Sequence, residues 1–168
     1  MIFGLGRITE VSSMKKISRK LFGIIVVLPF VIAVKILSVF MGQKESIRKI
    51  GPVATALAKR TLKYWVPNIN GPEDFDSFPI KMKNNFKLWR PFYDIEVSEE
   101  NRDVFKLYVS NCPFCEALIG FGLQDLSAYV CKGDWAIAHD NSDKWVFERV
   151  HQIGTGDRFC DHTYKRIQ

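Results

Sequence analysis

An excess of positive charge is what most of this sequence lacks. The 168-residue chain has a formal charge of +6, yet residues 42–168 hold 18 Lys+Arg against 17 Asp+Glu, while the first 41 residues hold 6 against 1. Phosphate binding draws its affinity from clustered cations that release counterions, so a near-neutral body excludes nucleic acid as a partner. The chain also lacks internal repeats and low-complexity tracts, and with 47% hydrophobic and 25% charged residues it is neither disordered nor collagen-like. Long apolar runs are scarce as well, which excludes a multi-span membrane protein. Cysteine is absent before residue 112. No second Cys-x-x-Cys and no His-x-x-x-His accompanies Cys112-Pro-Phe-Cys115, so the ligand pattern of a structural zinc site is incomplete.

One long apolar run is present. Leu21 to Val34 carries no charge, and after Lys35 apolar character resumes to Met41, giving about the ~20 residues that a bilayer span requires. No small-residue Ala-x-Ala cleavage site follows it, so the segment reads as an uncleaved anchor, with residues 21–41 in contact with a membrane. The alternative is a buried or interfacial helix of a soluble protein. Lys15, Lys16, Arg19 and Lys20 precede the run and Lys44, Arg48 and Lys49 follow it, a slight lean towards a cytoplasmic N-terminus. That orientation exposes the body to the oxidising side, where four cysteines would pair. The opposite one leaves a cytoplasmic body with free thiols.

The expected division is therefore residues 1–42 as basic N-terminus and hydrophobic helix, and residues 43–168 as the folded domain. Within the domain, residues 44–66 carry apolar side chains at roughly helical spacing, interrupted by Gly51-Pro52, and predict one or two short helices. Pro67 to Pro91 shows no clean period and reads mostly as connection. Phe92 to Ser98 and Asp103 to Cys112 alternate and predict an antiparallel pair. Pro113 to Gly122 predicts a short helix and Gln124 to His139 a second. Lys144 to Ile153 and Arg158 to Ile167 predict two more strands, joined by a Gly154-Thr-Gly-Asp157 turn. Paired strands separated by helices specify an α+β fold: an antiparallel sheet with packed helices, preceded by the hydrophobic N-terminal helix.

The chemistry-bearing residues lie in the C-terminal half. Cys112 follows a strand and precedes Pro113 at a predicted helix start, where free N–H groups and the helix dipole favour a thiolate. Glu116 lies one turn later and is placed to exchange a proton. Asp134 shares a helical face with Cys131. Alternation puts Cys160 and His162 on one face of the last strand and Asp161 on the other. A tetrahedral site for zinc or iron would draw on Cys112, Cys115, Cys131 and Cys160, with His162 as a substitute for Cys160. For Cys115 the simplest role is a small buried hydrophobe. His139 and His151 read as surface positions, and Phe105, Trp135, Trp145 and Phe147 as core.

The order Cys112-Pro113 with Glu116, then Gly122-Leu-Gln-Asp-Leu126, Cys131-Lys-Gly-Asp134, and Gly154 to Cys160-Asp161, resembles the L-2-amino-thiazoline-4-carboxylic acid hydrolase family over about residues 105–165. The resemblance implies hydrolytic opening of a small-molecule 2-aminothiazoline to a carbamoylated cysteine. It implies attack on C2 by Cys112 or Cys160, proton delivery by Glu116 or Asp134, and water activation by Asp161 or His162, in a pocket made by Cys112, Cys131 and Cys160. Cys115, His162 and the apolar N-terminal segment depart from the family pattern. The ending Glu148-x-x-His151-x-x-Gly154-x-Gly156-Asp157-x-x-Cys160 also resembles the small-molecule-binding domain of the 4-vinyl reductase type, which implies a non-catalytic sensor. A cysteine-ligated metal domain is the third reading.

Overall fold

A computed structural model describes the backbone of residues 5–168 and side chains from residue 15 onward. Five helices and four strands follow in the order α1 (Leu5–Met41), α2 (Gln43–Leu62), α3 (Phe78–Trp89), β1 (Ile95–Glu100), β2 (Val104–Val109), α4 (Pro113–Gly120), α5 (Gln124–Asp140), β3 (Trp145–Glu148) and β4 (Cys160–Arg166). The strands form one antiparallel sheet ordered β1-β2-β4-β3, so the fold is α+β as the alternation of strand pairs and helices specifies.

Period-2 patterning decides which face of the sheet is covered. Phe105, Leu107 and Val109 of β2 are buried, and they pair in register with Tyr164, His162 and Cys160 of β4. The helices lie over that face. Phe75, Phe78, Met82 and Phe86 pack there with Phe105, Trp145 and Tyr164 into an aromatic core. A second core joins Val27, Val31 and Val34 of α1 to Ile47 of α2 and to Leu118, Leu123 and Leu126 around α4 and α5. Burying each such side chain fully is worth about 1.5–3 kcal/mol.

Four sequence-based expectations change. Phe78 to Trp89, expected as connection, is helical: Phe78, Met82, Phe86 and Trp89 recur at the helical period, a pattern that Pro79 and Asn84-Asn85 mask. Pro79 occupies the first turn, where its missing N–H costs nothing. The Gly51-Pro52 break is absent, and α2 runs straight through it. Gly51 is needed because an added Cβ would lie 2.5 Å from the Tyr129 ring, and Thr55 Oγ1 donates to the Tyr129 carbonyl at 2.7 Å, so packing on α5 carries the helix past the proline. The strand expected over Lys144 to Ile153 stops at Glu148, where Arg149 turns back onto α5. Trp135 is 44% exposed rather than core.

The N-terminal helix is long and apolar enough to cross a membrane, by length and composition. One face of it also packs on the rest of the chain. The Arg19 guanidinium grips Asp94 with both terminal nitrogens and holds that carboxyl below its usual range. Phe22 stacks on Phe92 at 4.0 Å between ring centroids. Gly23 lets α1 meet the start of α4, since a Cβ there would stand 2.2 Å from the Pro113 carbonyl oxygen. The opposite face leaves Ile17, Leu21, Ile25, Leu28, Ile32, Ile36 and Val39 exposed, spaced three and four apart as a continuous stripe. Gly23→Ala is expected to push α1 off α4 and to cost about 1–3 kcal/mol, the usual range for overpacking. Thermal melting of wild type and variant measures it.

Candidate active site

A cavity of about 220 Å³ lies between α1, α2 and the covered face of the sheet. Cys112, Cys115, Cys131, Cys160, Asp134 and His162 gather at its wall, so the three cysteines expected to form a pocket do line one, together with the fourth. All four are free thiols. Glu116 and Asp161 are not among the lining residues.

Each thiol owes its place to a different local device. Cys112 is the extended N-cap residue of α4, with Pro113 in the first turn, as the sequence pattern indicates. Cys115, one turn on, is fully buried, and its Sγ lies 3.6 Å from that of Cys131 on α5. Cys160 begins β4, and its Sγ accepts the Ile153 backbone N–H at 3.2 Å. Gly154 is what lets the loop after β3 cross α5 at this point, because a Cβ there would sit 2.5 Å from the Cys131 sulfur.

The surroundings separate the thiols chemically. Hydrogen bonding to Cys112 and Cys131, reinforced by burial, holds Cys115 as a thiol. That same Cys115 donor lowers the Cys131 pKa, assisted by Arg149 and the Gly154 N–H and opposed by burial and Asp134. Burial pushes Cys160 up to about 12. Cys131 is therefore the thiol that its neighbours favour as thiolate.

Asp134 is not a free acid. Its Oδ2 accepts from Arg149 Nη1 at 2.5 Å, while Arg149 Nη2 donates to the Cys131 carbonyl at 2.8 Å and to Gln152 Oε1 at 2.7 Å. The Arg149 side chain is only 2% exposed. Asp161 shapes a loop: its Oδ1 accepts the backbone N–H groups of Val150 and His151. Glu116 lies on the outer side of α4, its carboxyl raised by partial burial against the lowering effect of the Cys112 N–H. His139 and His151 are exposed, as expected.

His162 stands opposite Leu107 on the inner face. Burial lowers its pKa, and its Nε2 is buried without a hydrogen-bond partner among the described residues. A histidine buried neutral binds its proton only in the unfolded chain, so stability is expected to fall as pH drops below about 6.5, the unfolded value, and onward through the lower folded value. Urea denaturation across pH 8 to 5 checks this, and His162→Gln is expected to flatten the dependence.

A family model described as L-2-amino-thiazoline-4-carboxylic acid hydrolase matches residues 30–164. The chain belongs to that family. The match extends well upstream of the motifs in residues 105–165, taking in the last third of α1 and all of α2 and α3, which the sequence motifs left out. No curated protein matches the chain. In this member of the L-2-amino-thiazoline-4-carboxylic acid hydrolase family, the motif residues fall into two groups. Cys112, Cys131, Asp134 and Cys160 meet at the cavity, whereas Glu116 and Asp161 support α4 and the β3–β4 loop. Among the described residues no group of three or more His, Cys, Asp or Glu side chains is arranged to hold a metal ion.

Two site residues escape sequence reasoning. Tyr93 is buried beside Cys112, its phenol pushed well up by burial, in a segment that reads only as the start of a strand. Arg149 carried one signal: a lone arginine inside an otherwise alternating Trp145–Ile153 run.

Proposed function

We propose that this chain is a cysteine-dependent hydrolase that opens a cyclic amidine of the thiazoline type, with Cys131 as nucleophile. The observation that carries this reading is a thiol favoured as thiolate at the wall of a cavity that also presents the unpartnered Nε2 of His162. The Cys131 sulfur adds to C2 of the ring, and the ring nitrogen takes a proton. The bond from C2 to the ring sulfur then breaks, its electron pair leaving as a thiolate that is protonated. Water adds to C2 and the bond to Cys131 breaks, which restores the enzyme and leaves a carbamoyl group on nitrogen. One water is consumed and nothing is oxidised or reduced. His162, neutral and buried, moves the proton from the attacking water. Cys112 and Cys160, the attackers that the family likeness offered, serve as neighbours, Cys160 because burial keeps it protonated.

Incubation with 2-amino-2-thiazoline and with its 4-carboxylate tests the reading. The expected result is one thiol released per molecule opened and a product heavier by one water. Intact substrate with stoichiometric enzyme would overturn it. A non-catalytic small-molecule-binding role is the second reading, favoured by the largely apolar lining, and it predicts binding without thiol release.

The exposed stripe of α1 supports one further element: residues 1–42 form a membrane-associating segment that meets lipid through residues 21–41, with residues 43–168 as the hydrolase domain held against its other face.

A further inference from the structure

The lining of the cavity is mismatched to a small carboxylate. Asp134 is the only acidic or basic Asp, Glu, Lys or Arg side chain on it among the described residues, and Arg149 already engages that group. A substrate carboxylate would enter without a counter-ion, which low-dielectric surroundings penalise heavily. Away from the cysteines the wall is hydrocarbon: Phe22, Val26 and Phe30 of α1 face Leu57, Ala58 and Leu62 of α2. The two helices meet at their junction around Gly42; Leu57 and Thr61 of α2, both lining residues, are exposed, and the α1 lining residues Phe22, Val26 and Phe30 are only half-buried, so the mouth is assigned between α1 and α2. Ile25 of the exposed α1 stripe and the exposed Pro29 each lie one turn from a lining residue, Phe22 and Val26 respectively, so apolar surface borders the mouth. Two buried nitrogens on the wall, Trp89 Nε1 and His162 Nε2, have no hydrogen-bond partner among the described residues. The indole N–H only donates, so it asks for a hydrogen-bond acceptor on whatever occupies the cavity.

We propose that the substrate is an amphiphile carrying a hydrocarbon chain, its hydrolysable carbon and uncharged polar atoms at Cys131, His162 and Trp89, and its chain between α1 and α2. This rests on the cysteine chemistry proposed above and names the substrate class for it. The chain enters from a lipid layer through the α1–α2 mouth, where the apolar wall keeps each methylene out of water during the transfer.

The full-length chain in phosphatidylcholine nanodiscs, with alkylation of Cys131 followed by mass mapping, tests it. Two probes compete with the alkylating reagent: 2-amino-2-thiazoline bearing a 4-octyl chain, and the 4-carboxylate. Half-protection is expected at a concentration at least ~100-fold lower for the octyl compound. Val26→Trp, which fills the chain end, is expected to weaken octyl protection by at least ~10-fold more than it weakens protection by unsubstituted 2-amino-2-thiazoline. Leu57→Trp at the exposed rim provides the same test should Val26→Trp fail to fold. Equal protection by the two probes, tighter protection by the carboxylate, or octyl protection indifferent to the folded rim or interior variant would overturn the proposal. Because protection requires binding but not ring opening, loss of the hydrolytic reading shows separately, as absent thiol release from every thiazoline.

Discussion

Cys131→Ser is expected to lower kcat/KM for thiazoline opening on the order of 10⁴-fold or more, the scale on which enzymes lose activity when a covalent nucleophile is removed. Cys112→Ser and Cys160→Ser are expected to lose far less, within roughly 30-fold, since each would change the cavity wall and not the attacking atom. The distinction follows from the surroundings. Cys115 donates towards Cys131, and the Arg149 guanidinium and the Gly154 N–H lie close by, whereas Cys160 is pushed up to about 12. The pH profile supplies a second readout. A thiol with a lowered pKa reaches its full rate at lower pH than an ordinary cysteine, so activity is expected to level off below the ordinary value of 9. Cys115→Ala removes the donor and is expected to move that plateau to higher pH while leaving a nucleophile in place. Thiol release measured from pH 6 to 10 on the four variants decides the matter. Full activity in Cys131→Ser, or abolition by Cys112→Ser, would return the nucleophile to the helix N-terminus.

The sequence was most legible where one periodicity ruled. Phe105, Leu107 and Val109 alternate with half-exposed residues and define an inner face, and the same alternation correctly put Cys160 and His162 on one side of β4 with Asp161 on the other. Legibility failed where two signals competed. Proline and asparagine punctuate α3, and propensity alone cannot see that Phe78, Met82 and Phe86 meet the sheet. Pro52 reads as a break in α2 because the sequence does not reveal that Gly51 and Thr55 are fastened to Tyr129. At the site, residue type was informative and partnership was not. Asp134 and Cys131 share a face of α5 as the spacing requires, yet what they do depends on Arg149 arriving from the end of β3, and on Cys115 coming from α4. Contacts between elements set the chemistry, and a linear pattern carries little information about them.

Arg149 is the residue on which the largest loss of stability is expected. Its guanidinium is buried, forks between Asp134, the Cys131 carbonyl and Gln152, and lies 5.8 Å from the ring centres of both Trp135 and Phe147. Arg149→Met preserves most of the volume but leaves Asp134, whose side chain is 13% exposed, as a largely desolvated carboxylate without a partner. Breaking a buried pair in this way costs about 3–5 kcal/mol. Arg149→Lys is expected to recover only part of that, because an ammonium cannot reproduce the planar fork. The paired variant Arg149→Met with Asp134→Leu is expected to regain most of the stability, since the charge left stranded by the single change is gone. Urea denaturation of the three variants separates these cases. The double variant also isolates the chemical role of the pair: with the fold restored and both charges removed, Cys131 keeps its Cys115 donor but loses the favourable Arg149 and the unfavourable Asp134 together. Activity in that protein should therefore remain well above that of Cys131→Ser, and a fall to the same level would mean that Arg149 acts on the reacting atoms and not only on the thiol's position.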